Sequence, residues 1–152
     1  MENVSITIRT EQFAPDGGAD AAECVESRVQ GTFRKDDEGI KICYEEPEAS
    51  GLGKCRTVIV VSGGIITVRR SGETRSQMIF ERGVKHDCVY KTAVMPFSLA
   101  TEGITVRADE TEALPYKADL EYLLYADGRV GARNRMRITV EKGREKDREG
   151  SI

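Results

Sequence analysis

Cys55-Arg56-Thr57-Val58-Ile59-Val60-Val61-Ser62-Gly63-Gly64-Ile65-Ile66-Thr67-Val68-Arg69-Arg70 places two runs rich in β-branched residues on either side of a Gly-Gly pair. Tight two-residue hairpin loops need positive φ, which glycine adopts without a Cβ clash. Such a loop at Gly63-Gly64 sets Val61 opposite Ile66 and Ile59 opposite Val68, giving one continuous aliphatic face. The other face pairs Val60 with Thr67 and Val58 with Arg69. Met78 and Phe80 join the aliphatic face if an odd number of residues forms the turn around Ser71-Gly72.

The same alternation recurs along the chain in about ten runs. They span 4–10, 24–34, 40–46, 55–61, 65–70, 74–82, 86–94, 97–101 with 104–108, 116–125 and 130–142. Turn residues separate them: Asp36 to Gly39, Gly51 to Gly53, Gly63-Gly64, Ser71-Gly72, Gly83 and Asp127-Gly128. Connections this short join antiparallel neighbours, and a meander with one apolar face must hide that face in a barrel or a sandwich. Consecutive hairpins close without crossovers, so the expected fold is all-β, a single antiparallel up-and-down barrel of about 8–10 strands. The domain is expected over residues 1–142, with 143–152 as a solvated tail and Phe13 to Ala22 as a loop.

At 152 residues the chain is long enough to bury a core without metal or disulfide support. Its net charge of −3 and its lack of Trp give no footprint for nucleic acid, and the four Phe and five Tyr do not interleave with Lys or Arg. No segment approaches the roughly 18 apolar residues of a membrane span, and the first ten residues do not form a secretory leader. Cys24, Cys43, Cys55 and Cys88 contain no CxxC pair, and one His accompanies them, so the expectation is free thiols in the reducing cytoplasm. No cofactor or metal is expected.

The strand end Tyr44-Glu45-Glu46, Gly53-Lys54 leading into a Val/Ile strand, Arg70-Ser71-Gly72 followed by Met78 and Phe80, Tyr90-Lys91-Thr92, Thr101 and Tyr122 follow one another in an order that resembles the DUF1934 (YwiB-like) family. The resemblance covers nearly the whole chain. It implies a bacterial protein with a calycin-type β-barrel, lipocalin-like in shape, and carries no activity with it. Met95-Pro96 departs from the family pattern, which favours a Gly there, so that turn is expected to be built differently.

Several motifs invite chemistry and are better read otherwise. Gly51-Leu52-Gly53-Lys54 lacks the first Gly and the Ser or Thr of a phosphate loop, and a strand follows it. His86 and Cys88 share a strand face about 7 Å apart, too far for a base and its nucleophile. Glu45, Glu46 and Glu48 around Pro47 read as a solvated turn. Arg133, Arg135 and Arg137 read as a cross-strand charge ladder. A three-residue loop at Ala126-Asp127-Gly128 pairs Arg133 with Glu121, Arg135 with Asp119, Tyr122 with Ala132 and Leu124 with Val130.

What remains is the barrel interior. Tyr44, Met78, Phe80, Tyr90 and Tyr122 are the candidate lumen residues, set in different strands to line or to fill the space. The expected function is non-enzymatic binding of a small, partly apolar molecule there, with Tyr hydroxyls and one Arg as polar anchors. The alternative is an interaction protein with a filled barrel, which meets a partner or a second copy through its surface or an open edge.

Overall fold

Ten strands follow one another along the chain, each hydrogen-bonded to its predecessor, and the last returns to the first. They are β1 (Glu2–Phe13), β2 (Glu23–Asp36), β3 (Gly39–Glu45), β4 (Cys55–Ser62), β5 (Ile65–Gly72), β6 (Arg75–Phe80), β7 (Lys85–Lys91), β8 (Leu99–Ala108), β9 (Tyr116–Ala126) and β10 (Arg129–Lys142). The computed structural model describes residues 2–14, 23–91 and 98–143. Of the expected loop from Phe13 to Ala22, Phe13 instead ends β1, paired with Arg133. Residues 15–22 lie outside the described residues, as do the Met95-Pro96 turn and residues 144–152 of the expected tail over 143–152.

The quoted hairpin forms as its alternation dictates. Gly63 and Gly64 both have positive φ, Val61 pairs with Ile66, Ile59 with Val68 and Val58 with Arg69. Between β5 and β6 the ladder ends at Arg70↔Ser76, an odd gap of five residues, 71 to 75, so Met78 meets Val68 and Phe80 meets Ile66. The inward face that results buries Val4, Ile6, Ile42, Ile59, Ile66, Phe80, Leu120 and Ile138. Burial at about 25 cal/mol per Å² of apolar surface makes this cluster the main source of stability. Outward positions of β9 and β10 carry Asp119, Glu121, Arg133, Arg135 and Arg137. Among the described residues, no helix is long and apolar enough to cross a membrane.

The β9–β10 hairpin corrects the expected register. Its turn has two residues, Asp127 and Gly128, both at positive φ, and Arg129 pairs with Ala126. The extra residue sits farther along, as a bulge at Gly131 between Val130 and Ala132. Both schemes turn the arginines outward, because a bulge and a longer loop change strand parity alike. The pairing moves by two, so Arg135 lies opposite Glu121, Arg137 opposite Asp119, and Tyr122 opposite Asn134. The ion pairs nevertheless form as expected, on the diagonal: Arg133 to Glu121 at 3.2 Å and Arg135 to Asp119 at 3.1 Å.

Among the described residues the sheet closes on itself as expected of a barrel, so of the two routes in the interaction alternative the surface remains and the open edge does not. One partial edge remains. β2 pairs with β1 from Glu23 to Phe33 but with β3 only from Gly31 onward, so among the described residues Glu23 to Gln30 have a partner on one side alone. Gly31 marks the point where β3 joins: a Cβ there would lie 2.2 Å from the Cys43 carbonyl oxygen and 2.6 Å from Ile6 Cδ1.

Candidate functional site

One ladder row crosses the inner wall through five strands. Tyr44 pairs with Thr57, Thr57 with Arg70, Arg70 with Ser76 and Ser76 with Tyr90. Tyr44, Thr57, Arg70 and Ser76 stand on the inward face because each is two residues from a core residue: Tyr44 from Ile42, Thr57 from Ile59, Arg70 from Val68, Ser76 from Met78. A belt of polar side chains thus interrupts an otherwise apolar lining.

Glu46 completes the belt from above. Its backbone N–H donates to the Cys55 carbonyl at 2.9 Å, just past the end of β3. Its side chain is 6% exposed and accepts a hydrogen bond from Thr57 Oγ1 at 3.0 Å. The expected solvated turn therefore holds for Glu45 and Glu48, which are exposed, and fails for Glu46. The alternation that buries Ile42 and Tyr44 carries Glu46 inward as well.

Arg70 faces Glu46, with Nε 4.0 Å from Oε2, and its side chain is 17% exposed. At that distance the attraction is electrostatic, without a hydrogen bond. Three polar atoms in this region are buried with no hydrogen-bond partner: Arg70 Nε, Ser76 Oγ and Asn134 Oδ1. Asn134 is anchored through its other end, Nδ2 donating to the Tyr122 hydroxyl at 3.3 Å. Burial pushes the Tyr44 phenol up to about 12, and the Glu46 charge adds to the rise, while the Arg70 charge and hydrogen bonding with Thr57 and Arg70 oppose it. Burial likewise raises Tyr122, against the Asn134 hydrogen bond and the Arg70 charge. Both phenols are neutral hydrogen-bonding groups at physiological pH.

A cavity of about 290 Å³ opens beside this belt. Ile8, Ile59, Val68 and Met136 make its apolar wall, and Tyr44, Glu46 and Arg70 its polar one. Its mouth is framed by Val25 to Ser27 of the half-paired β2 and by Pro47, Ser50 and Leu52 of the β3–β4 loop. That loop is tied to the β5–β6 turn: Thr74 Oγ1 donates to the Leu52 carbonyl at 2.6 Å, and the Lys54 N–H donates to the Glu73 carboxylate.

The structure divides the expected lumen residues. Tyr44 lines the cavity. Phe80 and Tyr122 fill space, their rings in contact at 4.5 Å between centroids, and Met78 packs half-buried on the core. Tyr90 stands across from Ser76 in register, and its side chain lies outside the described residues. Farther down the barrel Phe33 and Tyr116 stack at 5.3 Å. The interior is filled in one part and open in another. Arg70, Glu46, Thr57, Ser76 and Asn134 were not among the expected residues, although strand parity from Val68, Tyr44, Ile59 and Met78 carries the first four inward.

The other motifs are accounted for locally. His86 Nε2 lies 2.9 Å from Glu81 Oε1 across the β6–β7 turn and does not line the cavity. Cys43 pairs with Val58 and Cys55 with Gly72, so the two cysteines do not oppose each other, and all four thiols are free. Among the described residues, no group of three or more His, Cys, Asp or Glu side chains is arranged to hold a metal ion.

The profile of DUF1934, a domain of unknown function, matches residues 6–138. The chain is 25% identical over 142 residues to the uncharacterized beta-barrel protein YwiB of Bacillus subtilis (strain 168), covering 93% of this chain and 96% of that protein. It is similar in fold to the crystal structure of ywiB protein from Bacillus subtilis, with a TM-score of 0.75, 26% identity and 95% of each chain covered.

Proposed function

The chain belongs to the DUF1934 family, and from that premise we propose that it is a non-enzymatic, cytoplasmic binding protein that holds a small, partly apolar molecule inside the barrel. The observation that carries this reading is the cavity of about 290 Å³ with an aliphatic wall and a polar belt. Ligand sites are commonly concave and apolar with a few convergent polar groups, in volumes of about 300–1,000 Å³, so the occupant is at the small end of that range. Tyr44 and Arg70 serve as its polar anchors. Among the described lining residues, no hydroxyl or thiol nucleophile is hydrogen-bonded to a base that also lines the cavity, which supports binding over catalysis. The free thiols support a reducing compartment.

Native mass spectrometry of freshly purified protein tests the proposal. A co-purifying small mass that is lost when Val68→Trp fills the cavity is the expected result; an unliganded spectrum together with no thermal shift across a library of small amphiphiles contradicts it. One observation favours the interaction reading, the one-sided pairing of Glu23 to Gln30 with Val25 exposed beside it. A homodimer peak abolished by Val25→Lys is its signature in the same spectrum.

A further inference from the structure

Resting on the cavity reading, we infer that the occupant is a small anion with an apolar body, and that Glu46 holds its place on Arg70 when the cavity is empty. Arginine stays charged at any physiological pH and presents donors in a fork that suits a carboxylate or sulfonate. Arg70 is mostly buried, yet its nearest acid approaches only to 4.0 Å and leaves Nε without a hydrogen bond. A buried guanidinium so served is incompletely compensated, since the cost of removing a charge from water is recovered only with good geometry and full hydrogen bonding.

A further buried side chain stands beside the guanidinium in the ladder. Ser76, directly opposite Arg70 in the ladder, is 6% exposed with Oγ unpartnered. An anionic head at Arg70 accepts from the guanidinium, which lines the cavity. Its apolar body lies along Ile8, Ile59, Val68 and Met136.

Two carboxylates cannot share one arginine without repulsion, so Glu46 must give way. Its position permits that, because it stands one residue beyond β3 at the head of a loop, beside the mouth. Binding is thus an exchange of one carboxylate for another, with the displaced one returned to water. The remaining charge at the described lining is Glu26, exposed at the mouth and 3.9 Å from Arg9.

Naphthoate and its neutral isostere naphthamide separate the possibilities, because they share one apolar body and differ in the charge of the head. Calorimetric titration of the wild type is expected to give naphthoate about tenfold tighter binding, the scale of a charge-assisted hydrogen bond. Arg70→Met is expected to erase that preference while naphthamide still binds. Glu46→Gln removes the resident competitor and is expected to tighten naphthoate several-fold without changing naphthamide, which keeps the test open should Arg70→Met not fold. Equal affinity for the two compounds in the wild type, or a preference that both variants leave unchanged, overturns the anion inference and leaves the cavity reading standing. No binding of either compound, with no co-purifying mass, overturns both.

Discussion

The rings of Phe80 and Tyr122 meet at 4.5 Å with a tilt of 53°, although their strands, β6 and β9, are not neighbours in the sheet. They touch across the interior and close the space that the cavity leaves. Phe80→Ala is expected to cost about 3–5 kcal/mol, as for other buried aromatics, whereas Tyr122→Phe loses about 1 kcal/mol with the Asn134 hydrogen bond. Urea unfolding measures both. A loss below about 1 kcal/mol for Phe80→Ala contradicts the contact.

Gly131 holds the charge ladder outside. Removing it eliminates the bulge, so residues from Ala132 to Ile138 exchange faces, turning Arg133, Arg135 and Arg137 inward and Asn134 and Met136 outward. The deletion variant is expected to show no cooperative unfolding transition. Arg135→Ala, which breaks only the half-exposed pair with Asp119, is expected to lose about 0.2–1 kcal/mol. Similar stabilities for the two variants contradict the assigned register.

Alkaline pH acts through the buried phenols. Tyr44, Tyr116 and Tyr122 all titrate above the ordinary value of 10.0, with burial as the main cause in each. A raised pKa in the folded state means that the folded chain keeps its proton longer. Their contribution to stability is therefore intact below about pH 10 and is lost as pH rises through the folded value, about 12 for Tyr44. Denaturant midpoints are expected to be level with respect to these groups between pH 7 and 9 and to fall above 10. Tyrosinate absorbance should appear for these residues only as the barrel unfolds.

Thiol reactivity is expected to separate into classes. Cys24 is exposed, Cys88 intermediate, and Cys43 and Cys55 buried. Burial also pushes the Cys55 and Cys88 thiols upward, away from the reactive thiolate. Under native conditions a chromogenic disulfide reagent should react fast with one thiol and reach four only in denaturant. Cys24→Ser should remove the fast phase; its persistence would locate the reactive thiol elsewhere.

How far the sequence could be read depended on where the alternation was followed. Val61↔Ile66 and Val68↔Met78 come directly from period-two patterning and turn parity, and with them the barrel. The belt obeys the same parity: Arg70 is one inward step beyond Val68, and Glu46 one beyond Tyr44. Their charges argued for the surface, and tertiary placement overrode that preference. The Gly131 bulge was hidden for a different reason. A bulge and a three-residue loop change parity equally, so the outward arginines and their acidic partners were legible while the residues directly opposite them were not. The split between filled and open interior depends on side-chain volumes meeting across non-neighbouring strands, as Phe80 and Tyr122 do, which no local pattern encodes.

On the binding proposal, the one-sided half of β2 would bear on how fast an occupant is exchanged. Among the described residues, Glu23 to Gln30 are held by β1 alone, and Val25 to Ser27 of this stretch frame the mouth. Swinging that flap outward breaks no ladder bond on its free side, so the event draws on local flexure at the low end of the stability scale. On that proposal, entry and exit would not wait for the barrel to open: residence time would follow the stiffness of one strand, and affinity and exchange rate would be set by different parts of the wall.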